Sequence, residues 1–227
     1  MKSLLATAAL ALGLGPCGIA HAQDWPRQPI KIVANFAPGG AADQLARVIG
    51  APLHEALGQP VLVENRGGAG GNLGGDFVAK SPADGYTFLM SSGGMVSINP
   101  HIYAEMPFDP GISIQHVKTG KLRMLAVASL KRAPQMPEVP TLDELGLKGF
   151  DADAVFGLYA PAGTRPAVIQ RINAEVNRAL ALSAVRATIE TLGNVPEPLT
   201  PAAFGDKGAA DFKRLGAVIR ERGIRAD

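Results

Sequence analysis

The 227-residue sequence has little of several residue types that usually reveal a function. Its single cysteine, Cys17, excludes an internal disulfide and a zinc site made of paired cysteines. The formal net charge is only +2, so no strong attraction to nucleic acids or acidic membranes is expected. Basic residues near the C-terminus are interleaved with acidic ones, which predicts a solvated helix face. No apolar run reaches the roughly 20 residues that a transmembrane helix needs.

Signatures of catalysis and of nucleotide binding are also lacking. The histidines at positions 54, 101 and 116 do not stand in an HExxH motif, and no serine lies in a GxSxG motif. The dinucleotide pattern GxGxxG fails because Leu73 occupies the position of its third glycine. A phosphate-binding P-loop fails because Gln115 stands where its first glycine belongs. We therefore expect no cofactor, no metal site and no enzyme activity.

The first 22 residues have the layout of a secretory signal peptide. Lys2 supplies a positive charge, residues 4–14 form an apolar stretch rich in Leu and Ala, and small residues lead to a predicted cleavage after Ala22. The alternative is a lipoprotein acylated at Cys17, but Pro16 fits that cleavage site badly. Cleavage would remove the only cysteine, as suits an oxidising compartment. The sequence therefore predicts a periplasmic protein.

The segment 23–110 has the alternating pattern of an α/β fold. Its predicted strands are 30–35, 61–65 and 86–90, and its predicted helices are 42–57 and 72–80. Pro52 should kink or split the first helix, and Gly58 should cap its end. Strands that alternate with short helices predict a doubly wound, mainly parallel sheet.

After Pro110 the pattern changes, and we treat 111–227 as a truncated crossover segment followed by C-terminal strands and helices that pack on the first lobe. The predicted strands are 122–129 and 154–160, and the predicted helices are 141–145, 164–180, 183–192 and 201–222. We expect the last helix to be interrupted at its glycines, Gly205, Gly208 and Gly216.

Three segments that we together call the cradle follow the three strands of the first lobe. They are 36–43, 67–72 and 91–94, and each contains a pair of adjacent glycines. In a parallel sheet they would meet at the carboxyl edge, where open α/β sheets bind ligands. Glycines let backbone N–H groups approach a ligand, and helix N-termini add partial positive charge. The cradle therefore predicts a site for an anion such as a carboxylate or phosphate, although paired glycines also form simple tight turns.

Asp43 lies within the cradle and has two interpretations. It could stabilise the first turn of a helix through the helix dipole. It could also bind a donor group of the ligand or hold a bridging water molecule. The sequence leaves both roles open.

Several motifs resemble those of the Bug family, the extracytoplasmic solute receptors of tripartite tricarboxylate transporters. The motifs are FAPGGAAD at 36–43, LGQPV at 57–61, VENR at 63–66, GAGGN at 68–72, DGYT at 84–87, PEVPT at 137–141 and APAGT at 160–164. Together with further short matches, they cover nearly the whole chain after the leader.

The resemblance implies a fold like that of type II periplasmic binding proteins, in which two lobes close on a small carboxylate. It also implies membrane permease subunits as partners, and no nucleic acid. By resemblance, the residues in the carboxylate-holding loops are Phe36, Gly40, Ala42, Asp43, Ala69, Gly71 and Asn72, with Ser91 and Ser92 beside them. Gly39, Ala41 and Gly70 complete the predicted set of ligand-binding residues.

The chain departs from the family pattern in its length. Residues 106–110 lead almost directly to a segment that resembles the return crossover, with the join at 111–117. Most of the second lobe is therefore absent, and we expect half a binding site that holds its ligand weakly. Two other hypotheses are an interaction or sensor-partner protein built on the remnant lobe, and an enzyme that acts on a carboxylate.

Overall fold

A computed structural model describes residues 25–99 and 123–225. Its strands are β1 (Ile30–Ala34), β2 (Val61–Asn65), β3 (Thr87–Ser92) and β4 (Phe156–Tyr159). Its helices are α1 (Ala41–Leu57), α2 (Asn72–Ala79), α3 (Gly93–Ser97), α4 (Pro166–Ala181), α5 (Ser183–Thr191) and α6 (Pro201–Arg222). Nine of the eleven predicted strands and helices are present, and the exceptions are the strand at 122–129 and the helix at 141–145.

The described strands form one sheet in the order β2–β1–β3–β4. Strand β1 pairs in parallel with both β2 and β3, as the alternating pattern predicts. Strand β4 pairs with β3 in the antiparallel direction, with Leu89 opposite Tyr159. The sheet is therefore mixed, and the carboxyl ends of its three parallel strands lie next to one another.

Helices cover both faces of the sheet, as in a doubly wound fold. On one face, Ile32 and Phe88 share a core with Leu53 of α1 and with residues of α4 and α5. On the other face, Val33 and Leu89 pack against α2. Because β1 is covered on both sides, all of its residues except Lys31 are buried, which explains why the other four are apolar.

Of the kink or split predicted at Pro52, the split does not occur, because helix α1 runs without interruption through this residue. Proline removes one backbone hydrogen bond, but the apolar face formed by Leu45, Ile49 and Leu53 is buried against the sheet and stabilises the helix. Gly58 ends α1 with a φ of 66°, and its N–H donates to the His54 carbonyl, as expected of a C-terminal cap.

The predicted end of the third strand at residue 90 is also wrong. Ser91 and Ser92 are the last residues of β3, and Gly93 and Gly94 begin α3 directly. The strand extends because β4 pairs with it as far as Ser92, which the local sequence does not reveal.

The strand predicted at 122–129 is absent from its described part, residues 123–129, where only Val127 makes an isolated bridge, to Thr141. Among the described residues no strand lies beside it to complete a ladder, and Leu125 is 74% exposed. The helix predicted at 141–145 is a series of turns. Thr141 and Glu144 do form a capping box, since each side chain accepts a hydrogen bond from the other's backbone N–H.

The predicted interruptions of the last helix are wrong, because α6 is continuous over 22 residues. A glycine in a helix interior costs only about 1 kcal/mol and keeps its N–H, so the hydrogen-bond ladder continues. Thr200 stabilises the start of the helix, since its side-chain oxygen accepts the Ala203 N–H at 3.2 Å.

Candidate functional site

The three segments of the cradle meet at the carboxyl edge of the sheet, as predicted. Segment 36–43 follows β1, 67–72 follows β2, and 91–94 contains the end of β3. The first two segments touch, since a Cβ built on Gly67 would lie 3.4 Å from the Phe36 carbonyl carbon.

Three helices begin within the cradle and carry no side-chain cap. Gly40, Gly71 and Ser92 precede α1, α2 and α3, and none of them accepts a hydrogen bond from its helix through a side chain. The first N–H groups of a helix have no partner inside the helix. At α2 and α3, however, the first donors bind nearby carbonyls, since the Asn72 N–H donates to Ala69 and the Gly93 N–H donates to Val155. The backbone donors that the cradle presents are therefore mainly those in the first turn of α1, at the positive end of its dipole.

The middle segment of the cradle has an unusual backbone. Gly70 and Gly71 have positive φ values of 59° and 90°. The preceding residue, Ala69, also has a positive φ, of 51°, which is uncommon for a residue with a side chain. A Cβ on Gly71 would lie 2.2 Å from Nδ2 of Asn35, so no larger residue fits there. Strained backbone of this kind is concentrated at functional sites.

Asn35 lies completely buried beneath the cradle and joins two of its segments. Its Nδ2 donates to the Gly71 carbonyl at 3.2 Å and to Ser91 Oγ at 2.8 Å. Its Oδ1 is buried without a partner among the described residues. Ser91 is itself fully buried, and its hydroxyl accepts the hydrogen bond from Asn35. Ser92, by contrast, is half-buried.

Two further asparagines connect the segments. Asn65 Nδ2 donates to the Phe36 carbonyl at 3.3 Å. Asn99 Nδ2 donates to the Gly70 carbonyl and to Asn72 Oδ1, both at 3.0 Å. The sequence-based prediction included none of these three asparagines. A signal existed for two of them, since Asn35 and Asn65 are polar residues at the carboxyl ends of neighbouring parallel strands.

The Asp43 carboxylate is buried and already has protein partners on both oxygens. Oδ2 accepts the Gly39 N–H at 2.9 Å, and Oδ1 accepts Arg47 Nε at 2.9 Å. Burial acts to raise the pKa of Asp43, but hydrogen bonds from Arg47, Gly39 and Asn65 outweigh it and hold the pKa below its usual value. These contacts favour a role in fixing the first segment over direct ligand binding.

The basic residue nearest the cradle in sequence, Arg66, is engaged elsewhere. Its guanidinium lies 3.6 Å from the centre of the Phe77 ring and pairs with Glu64. Glu64 also pairs with Lys31 at 2.8 Å. Hydrogen bonding to Lys31 is the main reason why the pKa of Glu64 is lowered. The cradle segments contain no Lys or Arg, so an anion there would depend on backbone donors.

A cavity of 1480 Å³ lies away from the cradle. It is bounded by β4, α4, α6 and residues 124–136, and mainly apolar side chains line it, including Phe156, Leu158 and Phe204. None of the predicted ligand-binding residues contributes to it. In the described ranges, no group of His, Cys, Asp or Glu side chains is arranged to hold a metal, and no helix is long and apolar enough to cross a membrane.

The fold is that of periplasmic solute-binding proteins. Periplasmic binding protein BugD superimposes with a TM-score of 0.79 at 22% identity, over 89% of this chain and 100% of that one. "R. palustris Rpa4515 with adipate" gives 0.80 at 23% identity, over 88% and 99%. MatC from Rhodopseudomonas palustris with bound malate gives 0.76 at 23% identity, over 86% and 99%.

Sequence comparison identifies the family. The model of the "Tripartite tricarboxylate transporter family receptor" matches residues 45–117 and 111–224. BugT of Bordetella pertussis is 27% identical over 325 positions, covering 99% of each chain. A UPF0065 protein encoded between tcbD and tcbE in Pseudomonas sp. strain P51 is 27% identical over 322 positions, covering 100% of this chain and 96% of the relative. The chain belongs to the tripartite tricarboxylate transporter receptor family, which is a family of solute receptors and not of enzymes.

The comparisons also confirm that the chain is internally shortened. The alignment with the Pseudomonas relative spans 322 positions, whereas this chain has 227 residues, so 95 aligned positions have no counterpart here. The two matches to the family model overlap at 111–117, where the join is predicted. This join lies outside the described residues.

Proposed function

We propose that this protein is a periplasmic receptor that binds a small carboxylate in the cradle and presents it to the permease subunits of a tripartite transporter. The observation that carries the proposal is that the cradle segments meet at the carboxyl edge of the sheet, where α1 begins without a side-chain cap, in a chain of this receptor family. Backbone N–H groups at helix N-termini bind carboxylates well because partial positive charge and hydrogen-bond donors coincide there.

The ligand class is supported by the relatives. Two proteins of similar fold have structures with adipate and with malate, both of which are dicarboxylates. The predicted polar contacts in this chain are the backbone N–H of Ala42 and the hydroxyl of Ser92. The N–H groups of Gly40, Gly71 and Asn72 already donate to carbonyls of their own turns, so we expect these residues to shape the cradle around the ligand. We assign Asp43, Ser91 and Phe36 to the support of the loops, because Asp43 accepts the Gly39 N–H and the other two accept hydrogen bonds from Asn35 and Asn65.

The shortened second lobe should weaken this binding. Small ligands are held well when protein encloses most of their surface. With most of one lobe missing, a carboxylate in the cradle would keep contact with water on the side that the second lobe covers in full-length relatives. We therefore expect the receptor to bind its ligand more weakly than its full-length relatives do.

Export to the periplasm is part of the proposal. The leader pattern at 1–22 and the predicted cleavage after Ala22 lie outside the described residues. They are supported by the family, whose receptors serve transporters in the membrane, and by the loss of the lone cysteine on cleavage.

Calorimetric titration of the mature chain tests the proposal. Adipate, malate and citrate are titrated separately, and hexane-1,6-diol serves as a control with the chain length of adipate but without charge. We expect heat from at least one carboxylate and none from the diol. Absence of binding by all three carboxylates at millimolar concentration would contradict a carboxylate receptor.

A second candidate function, a partner-binding protein built on the remnant lobe, is favoured by one observation. Five large apolar side chains are at least 42% exposed within one segment, namely Leu125, Leu130, Leu145, Leu147 and Phe150. Clustered exposed apolar residues often mark an interaction surface. Sedimentation velocity at increasing concentration tests this candidate. Self-association that Leu145→Ser and Leu147→Ser abolish would support it, and a monomer at all concentrations that captures no partner would oppose it.

A further inference from the structure

Asn35 connects two cradle segments that are far apart in the sequence. It follows β1 directly, and its side chain lies between the first turn of α2 and the end of β3. One amide nitrogen donates to Gly71, 36 residues away, and to Ser91, 56 residues away. The same nitrogen lies 3.3 Å from Met95 Sδ, in α3. A single buried side chain thus contacts the starts of two helices.

The orientation of the Asn35 amide is fixed by its acceptors. If the amide were rotated by half a turn, its oxygen would face the Gly71 carbonyl, and two acceptors cannot share a hydrogen bond. In the observed orientation Oδ1 is buried without a partner among the described residues. A buried unpaired oxygen costs free energy. The packing therefore favours the bond to Gly71 even at that cost, which indicates that the position of Gly71 matters.

The first turn of α2 packs closely against the Asn35 side chain. A Cβ on Gly71 would lie 2.2 Å from Asn35 Nδ2, and one on Gly74 would lie 2.8 Å from Asn35 Cβ. Any side chain at either position would push α2 away from β1. The two glycines and the asparagine therefore form one close contact, and a change in Asn35 should move the start of α2.

We propose that Asn35 is a positioning residue of the cradle, which sets the separation between the Gly71 and Ser91 segments and thereby the shape of the site that receives the anion. This inference rests on the proposed carboxylate binding for its effect on affinity. The connection between the two segments stands on the geometry alone and can be measured without ligand.

The test replaces Asn35 with aspartate, which has nearly the same shape. At pH 8 the introduced carboxylate has no hydrogen to donate to Gly71 and opposes its carbonyl. At pH 5 a protonated acid could again donate one hydrogen bond, because burial among the uncharged groups of Gly71, Ser91 and Met95 raises the pKa of a carboxyl. The matched control is Asn177→Asp, since Asn177 Nδ2 also donates to a backbone carbonyl, that of Leu199 at 3.0 Å, away from the cradle.

Two readouts are used, amide hydrogen exchange without ligand and calorimetric titration with adipate. At pH 8 we expect Asn35→Asp to lower the protection of residues 69–73 and 91–95 together, by about tenfold, and to weaken adipate binding by about tenfold. Both effects should diminish at pH 5. The control should stay within about twofold of the parent in both readouts.

The outcomes separate this inference from the proposed function. Parent-like protection and affinity of Asn35→Asp at pH 8 would overturn the inference, and so would loss of protection confined to 69–73. If the parent does not bind adipate, that binding is refuted, but hydrogen exchange still decides the connection. Ser91→Ala removes one partner of Asn35 by a smaller change, with Ser81→Ala as its control. If Asn35→Asp does not fold, we expect Ser91→Ala alone to lower protection of 91–95, and parent-like protection would overturn the inference.

Discussion

The carboxylate of Asp43 accepts the backbone N–H of Gly39, four residues earlier, at 2.9 Å. This bond closes the turn that leads from β1 into α1, and it directs a buried negative charge toward the protein backbone. The second oxygen of Asp43 accepts a hydrogen bond from Arg47, one turn further along α1. Of the two roles that the sequence left open for Asp43, the geometry favours the structural one, so the residue should affect ligand binding through the shape of the first cradle segment.

Asp43→Asn should therefore destabilise the protein at neutral pH. The substitution removes the ionic part of the bonds to Gly39 and Arg47, worth about 1–2 kcal/mol because Arg47 is largely exposed. We expect the midpoint of urea unfolding at pH 7 to fall accordingly. Carboxylate affinity should fall only severalfold, since we assign the residue to the support of the loop, and complete loss of binding with unchanged stability would contradict the structural role.

The same pair makes a prediction about pH. The pKa of Asp43 in the folded protein is lower than its ordinary value of 3.8, so its ionised form stabilises the fold. This contribution is present above pH 3.8 and is lost as the pH falls through the lowered pKa. The stability difference between the parent and Asp43→Asn, measured by urea unfolding, should therefore be constant from pH 7 to 5 and shrink below pH 4. A difference that grows on acidification would contradict this sign.

Gly71→Ala should damage both the fold and the cradle. Its φ of 90° is unfavourable for alanine, and the new Cβ would overlap with Nδ2 of Asn35. The control is Gly146→Ala, where φ is 106° but a Cβ would meet no atom within 4 Å. We expect the control to cost about 1–2 kcal/mol from backbone strain alone, and Gly71→Ala to cost at least about 1 kcal/mol more. Equal losses in thermal unfolding would show that the contact with Asn35 does not constrain this position.

The parts of the fold that the sequence predicted are those set by local patterns. The apolar run at 30–34 and the helical spacing of Leu45, Ile49 and Leu53 identify β1 and α1 because each depends on neighbouring residues only. The antiparallel direction of β4 and the extension of β3 to Ser92 depend on a contact between segments more than 60 residues apart. The failure at 123–129 has the same origin, since a strand needs a partner that its own sequence does not specify.

The candidate site divides in the same way. The glycine pairs identify the cradle because they show where the backbone turns sharply after each strand. Asn35, Asn65 and Asn99 were missed because their function lies in contacts that span 27 to 56 residues. Asn35 has the sequence context of a strand residue, and only its burial against Gly71 and Ser91 reveals that it connects two loops.

Gly40→Val should abolish carboxylate binding. Gly40 is buried at the start of α1, and a branched side chain there would occupy the cradle and crowd the first N–H groups of the helix. Arg222→Ala provides a control at an exposed position in the last turn of α6, where the Arg222 Nε lies 3.6 Å from a carboxylate oxygen of Glu221. We expect the control to keep the parent's affinity in calorimetric titration. Parent-like affinity of Gly40→Val would refute the cradle as the binding site.

Cleavage of the leader can be checked on protein recovered from the periplasmic fraction. We expect intact-mass spectrometry to show a chain that begins at Gln23 and contains no thiol, because Cys17 lies in the removed segment. Ala22→Asp should block this cleavage, since signal peptidases require a small residue before the cut. A mature chain that begins at Cys17 and carries lipid would instead establish the lipoprotein alternative.

Gly205→Ala and Gly208→Ala should stabilise the protein. Both glycines lie inside the continuous helix α6, and a Cβ at either position would meet no atom within 4 Å. Alanine lowers the conformational entropy of the unfolded chain and has the higher helix propensity, so each change should add about 0.5–1 kcal/mol. The control is Gly157→Ala, because a Cβ there would lie 2.2 Å from Cζ of Phe204 and should destabilise the contact between β4 and α6. Urea unfolding of the three variants measures these differences. If both α6 substitutions lower stability, the helix is not continuous through its glycines in solution, and the interruption that the sequence suggested is present after all.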